Sequence, residues 1–246
     1  MSYDFAGGGY FTGTFDITYS LPITLAIFCK YADHTTGDVF LNFGNSNTTT
    51  NDSILLDSGS SSDEHRLASF NSVGGSNVAL IAEASGTFDA AWFGIVGVVT
   101  SAILRDIFVN TLANTDDDVN SITVASALKY LSISSRLDFG LQQTPWNFAE
   151  IVIYNGVMSD ADIISYLGGL KATNLVGAAN IIAYYSLDTE DDSPNDESAG
   201  GAGPDLVKNG SAVFDADHPV ITTSGGLPGF RGANRGIMRG VARGIG

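Results

Sequence analysis

From Trp92 to Val99 every residue is apolar or glycine. A strand of that composition has no solvent-facing side, so it needs cover on both faces and belongs at the centre of a packed sheet. Further strands are predicted at about 23–30, 38–44, 53–57, 66–71, 78–84, 103–110, 121–125 and 129–134, separated by Asp, Gly, Asn and Thr clusters with turn chemistry. Tyr3, Phe5, Tyr10 and Phe11 around three glycines suit an edge strand with a bend over residues 2–12, and Asn114 to Asn120 has the character of an acidic loop. With 246 residues, the expectation is one large all-β domain and a tail.

A single helical pattern interrupts this. Phe148, Glu150, Val152 and Tyr154 alternate with Ala149, Ile151 and Ile153, which predicts a strand with the first four on one face. Ser159 then supplies an N-cap, Asp160 and Asp162 suit the positive end of a helix, and Ile163, Tyr166 and Leu167 share a face. Gly168 is placed to take the left-handed position that ends it. Another strand is predicted at 181–187, an acidic solvated loop from Asp188 to Glu197, and a last pair at about 205–209 and 212–215.

Within these elements the stretch from Ala149 to Leu167, AEIVIYNGVMSDADIISYL, resembles the closing strand-turn-helix of laminin-G-like domains in the concanavalin A-like lectin/glucanase superfamily. Trp92 to Val99 followed by Ile103 to Asn110 is similar to a strand pair of that family. The likeness runs over roughly residues 1–220. It implies an all-β fold, a two-sheet antiparallel jelly-roll sandwich with one short helix and an extended C-terminal tail. It divides the chain into a domain at 1–222 and a Gly/Arg-rich tail at 223–246, and it implies no single activity. Ile181 to Leu187, the Asp192-Ser193-Pro194-Asn195 loop and the closing Phe214 to Pro219 resemble the C-terminal end of laminin-G-like domains in bacteriophage virion proteins.

Charge is divided along the chain. All 27 acidic residues precede Phe230 together with seven basic ones, a net of −20, while the last 16 residues carry Arg231, Arg235, Arg239 and Arg243, a net of +4. The acidic body should repel nucleic acid, whose binding depends on neutralising phosphates. The single cysteine, Cys29, allows no intramolecular disulfide and shares a strand face with Ile23, Leu25 and Ile27, as a small buried hydrophobe would. The N-terminus lacks a charged segment followed by an apolar core, so no signal peptide is expected; no apolar run approaches membrane length, and the sequons at Asn47, Asn51 and Asn209 are taken as chance. A lectin-like sandwich without a secretion signal points to a protein that reaches the outside on a particle, with the virion surface as its location.

The glucanases of the superfamily set carboxylates at alternate strand positions, Glu-x-Asp-x-x-Glu, so that two flank the scissile oxygen at about 5 Å. Glu150 has Val152 and Tyr154 where such partners would stand, and the motif occurs nowhere in the chain, so no enzyme activity and no catalytic residues are expected. His34, His65 and His218 lack ligand spacing, and His218 before Pro219 suits an exposed turn. Asp116, Asp117 and Asp118, and the Glu190 to Glu197 loop, have the oxygen density that calcium needs, against the commoner role of solvated acidic loops; no other metal or cofactor is expected. Trp146, with Asn147 in the loop entering its strand, offers an aromatic face for stacking on a sugar, against packing over the sandwich edge. Trp92 is expected in the core.

The tail holds four tetrapeptides beginning Arg-Gly at Arg231, Arg235, Arg239 and Arg243, with Ile237, Met238, Val241 and Ile245 between the charges. These eight residues are the candidate partner anchor: arginines for carboxylates, apolar side chains inserted between them. The expected function is a non-enzymatic virion structural protein, a phage capsid decoration or appendage subunit. Its expected partners are other virion proteins, including the major capsid protein, and further copies of itself. The alternative is a carbohydrate-binding adhesion module recognising host or surface glycans.

Overall fold

The computed structural model describes residues 2–5, 8–31, 38–45, 53–58, 64–71, 78–85, 91–101, 104–118, 127–135, 146–188, 190–191 and 193–223. Their strands are β1 (Ser2–Asp4), β2 (Tyr10–Tyr19), β3 (Ile23–Tyr31), β4 (Val39–Gly44), β5 (Ser53–Ser58), β6 (Glu64–Asn71), β7 (Val78–Ser85), β8 (Phe93–Ser101), β9 (Leu104–Val109), β10 (Thr111–Asp118), β11 (Leu128–Ile133), β12 (Trp146–Asn155), β13 (Ile181–Tyr185), β14 (Val207–Asn209) and β15 (Val213–Asp215); the helix α1 (Asp160–Leu167) falls between β12 and β13. One sheet runs β10-β9-β8-β3-β12-β1-β15, with β13 also on β12, and the other runs β14-β2-β11-β4-β5-β6-β7. All pairings are antiparallel, and the two sheets make the jelly-roll sandwich that the sequence predicts.

The apolar run is central. Phe93 to Val99 are all buried in β8, between β3 and β9. Phe93, Ile95 and Val99 join the main core between the sheets, while Val96 and Val98 join a second cluster beneath α1. Its two glycines mark close approaches from each side. A Cβ on Gly94 would stand 2.8 Å from Leu167 of α1, and one on Gly97 would stand 2.7 Å from Leu67 and 2.8 Å from Leu56 of the facing sheet. Trp92 differs from expectation: it precedes the strand, half-buried against the second cluster. Cys29 lies in the main core beside Ile23, Leu25 and Ile27.

Three local expectations change. Residues 2–12 do not form one bent edge strand: β1 lies inside the first sheet between β12 and β15, and β2 enters the second. Asn114 to Asp118 continue β10 along β9 instead of forming a loop, because the edge of β9 offers hydrogen bonds that polar residues accept as readily as apolar ones. In α1, Ser159 caps the helix by accepting the N–H of Asp162 at 3.2 Å, but Gly168 has φ −75° and Gly169, at φ 85°, takes the left-handed position. The predicted strand at 121–125, His34 and the tail residues 224–246 lie outside the described residues.

Candidate functional site

Glu150 is the only charged residue in β12. Ala149 pairs with Phe28 and Val152 with Ala26, so Glu150 and Ile151 together face Ile27, a bulge of one extra residue. Glu150 holds φ 52°, a left-handed conformation that residues with a Cβ seldom adopt, at a typical cost of about 1–3 kcal/mol. The other edge of β12 changes partner here, from β1 at Asn147 and Phe148 to β13 from Ile151 onward. The extra residue also exchanges faces. Trp146, Phe148, Ile151 and Ile153 enter the main core, whereas Val152 and Tyr154 face α1. The predicted common face of Phe148, Glu150, Val152 and Tyr154 is thus split at the bulge.

Two tyrosines hold the bulge. The Tyr166 hydroxyl of α1 donates to the Glu150 main-chain carbonyl, and the Tyr184 hydroxyl of β13 donates to the Glu150 carboxylate at 2.6 Å. Burial, which leaves Glu150 only 5% exposed, lifts its carboxyl from 4.5 to about 7. The Tyr184 hydrogen bond and Lys171 oppose that rise, and Glu197 and Asp188 add to it. The same burial raises both tyrosine hydroxyls further above their ordinary range, so they remain donors.

Lys171 follows α1. Its ammonium stands 3.6 Å from a Glu197 oxygen and 5.4 Å from the Tyr184 ring centre, so it caps the ring and is already ion-paired. Glu197 in turn accepts both the N–H and the hydroxyl of Ser186. The opposite wall is a strap, residues 216–223, running from β15 to the end of the described chain. Asp217 pairs with Lys30, and this hydrogen bond holds its carboxyl below the usual range. Thr222 donates to Gly169 at 2.7 Å and accepts from Lys171 at 2.8 Å in a parallel bridge. Between the bulge, Lys171, Asp188 and the strap residues His218, Pro219, Ile221 and Thr223 lies a cleft of about 350 Å³. A second, more open groove of about 640 Å³ lies along β2 between Thr12, Thr14, Asp16 and Ile17 and the segment Gly201 to Val207.

The residues singled out from sequence fare differently. Trp146 is a correction: it begins β12 instead of occupying a loop, is fully buried with its ring centre 4.3 Å from that of Phe40, and donates its indole N–H to Asp38 at 2.9 Å. No face of it is open to a sugar. Asn147 spends its amide on Asp215 at 2.9 Å, tying β12 to β15. The backbone of Asp116, Asp117 and Asp118 is paired in β10. The acidic loop is built into the fold: Asp196 accepts N–H groups from Tyr184, Ser198 and Gly203 at 2.8–2.9 Å, and the Asp191 carbonyl accepts the Tyr3 hydroxyl. Among the described residues no three His, Cys, Asp or Glu side chains converge as metal ligands would. Sequence alone left Glu150 solitary; folding brings Lys171, Asp188 and His218 to it from three other elements. The one available signal was a glutamate inside an otherwise apolar strand.

No family model and no curated protein matches the chain. Among solved structures of similar fold is a full-length tailspike protein of Escherichia coli O157:H7 bacteriophage CAB120, 13% identical, with TM-score 0.51 over 73% of this chain and 25% of that one. A heptameric SAP-like pentraxin from Limulus polyphemus is 11% identical, with TM-score 0.49 over 68% of this chain and 81% of that one. The CBM40 of a Ruminococcus gnavus sialidase, bound to α2,3-sialyllactose, is 13% identical, with TM-score 0.47 over 68% and 92%. The chain thus spans about a quarter of the tailspike, and at these identities the likeness is one of fold.

Proposed function

We propose that this protein is a non-enzymatic, lectin-like structural subunit of a bacteriophage particle, a decoration or appendage protein whose sandwich is the exposed body and whose Arg-Gly tail attaches it to other virion proteins. The observation that carries the proposal is the division of charge, −20 on the body and +4 in the last 16 residues. Copies of such a body repel one another, and a basic tail lets them dock on acidic protein surfaces at close quarters. The fold shared with a phage tailspike supports the setting. The absence of catalysis is supported by the use of Glu150, whose carboxylate and carbonyl are tied down by two tyrosines as part of the bulge. Protein mass spectrometry of purified particles tests the role: a stoichiometric band that is lost when residues 224–246 are deleted is expected, and particles lacking the protein would refute it. Incubation with β-glucans should give no turnover above buffer.

A second reading, glycan adhesion, is favoured by the β2 groove, where hydroxyls of Thr12 and Thr14 and carboxylates of Asp16 and Asp205 adjoin the apolar Ile17 and Pro204. Glycan-array binding that disappears in Asp16→Asn with Asp205→Asn would select it.

A further inference from the structure

We infer that the Glu150 cleft is the receptor for an arginine of the Arg-Gly tail of a neighbouring copy, so that subunits link tail to cleft. The inference rests on the proposed docking role of the tail and adds where it docks. The cleft joins a nearly buried carboxylate to the exposed Asp188, and its one cation, Lys171, is already paired with Glu197 and seated over Tyr184. Glu150, Asp188 and Glu197 thus gather around the single lysine Lys171, which leaves an excess of carboxylates at the cleft. Its volume, about 350 Å³, suits one long side chain. A guanidinium is the cation best matched to it, because its planar fork bonds two carboxylates at once and is more weakly hydrated than an ammonium, which eases entry beside the buried Glu150. Ala149, Pro219 and Ile221 supply apolar wall for the methylene stem.

The tail supplies that group in a suitable form. Each arginine precedes a glycine, so the backbone can approach the rim closely, and the next arginine is four residues away. Four residues of extended chain span roughly 13 Å, so a cleft of this size takes one arginine at a time. The other three remain for further acidic bodies, which favours a link between copies over a return of each tail to its own cleft. An arginine in the cleft would also neutralise the charge that burial disfavours in Glu150.

Sedimentation velocity of the full-length protein, over a range of concentrations, tests the link. The wild type should self-associate, with the association weakened by salt and reversed by a free peptide of residues 229–246. Glu150→Gln with Asp188→Asn should weaken it about tenfold or more, the loss expected for charge-assisted hydrogen bonds. The four Arg→Gln changes should do the same, and a peptide carrying them should not compete. Circular dichroism and thermal unfolding establish that the cleft variant is folded. A monomeric wild type, or a folded cleft variant that associates like the wild type, would overturn the inference. The two proposals part cleanly: cleft-dependent association of a protein missing from particles sinks only the virion role, and normal incorporation of the cleft variant sinks only the tail-to-cleft link.

Discussion

Replacing Glu150 by glutamine isolates the cost of keeping a carboxylate in the bulge. The side chain retains its shape and an oxygen for the Tyr184 hydroxyl, and loses only its charge. In the unfolded chain the carboxyl titrates near 4.5, and in the fold near 7. A raised folded value means that the native state holds its proton more tightly, so stability falls as pH rises between these two values and levels off above the higher one. A displacement of that size corresponds to about 3 kcal/mol once the group is fully ionised. At pH 5 the variant and the wild type should therefore unfold at similar denaturant concentrations. At pH 8.5 the variant should be the more stable by up to about 3 kcal/mol, or roughly 6–12 °C in Tm for a chain of this size. Urea and thermal unfolding at half-unit steps from pH 5 to 9 would read the difference, and subtracting the two profiles removes every titrating group they share. Parallel profiles, or a glutamine variant less stable at pH 8.5, would show that Glu150 is ionised at little cost and that the burial argument fails.

Three further outcomes follow from the packing. Gly97→Val should destabilise the sandwich by about 1–3 kcal/mol in urea unfolding, since the added carbons meet Leu56 and Leu67 at distances no side chain tolerates. Trp146→Ala should cost about 3–5 kcal/mol by the same assay, and any glycan binding should persist in whatever fraction remains folded. Lys30→Ala should loosen the strap: amide exchange at residues 217–223 should accelerate at neutral pH. In the wild type the same loosening should set in on acidification, because the depressed Asp217 carboxyl stabilises the fold above the ordinary Asp range and loses that contribution as pH falls through its own value.

Most of the architecture was legible because period and punctuation act locally. The apolar run at Phe93–Val99, the turn clusters and the Ser159 cap each specify an element without reference to the rest of the chain, and most of the strands among the described residues, β1, β2 and β10 apart, fell within a few residues of expectation. What failed involved a partner. The acidic residues of β10 became strand because β9 lay beside them. Trp146 moved from rim to core because Phe40 and Asp38, over 100 residues away in sequence, close around it. Asp196 became a structural acceptor because three separate N–H groups converge on it. The cleft was hidden for the same reason, with an additional twist at Glu150. A bulge reverses the parity of a strand, and no period-two pattern reveals where the reversal occurs.

The strap that walls the cleft is also the stem of the tail, and this makes it a load path. A pull applied beyond Thr223 reaches the Asn174–Thr223 hydrogen bond first, then the parallel bridge at Leu170 and Thr222, then the Lys30–Asp217 pair, and only afterwards the ladder between β15 and β1. Tension on the chain beyond Thr223 is therefore borne by the wall of the Glu150 cleft before the β15 ladder feels it. The cleft wall is thus the first part of the body to yield to such a pull, ahead of the β15–β1 ladder.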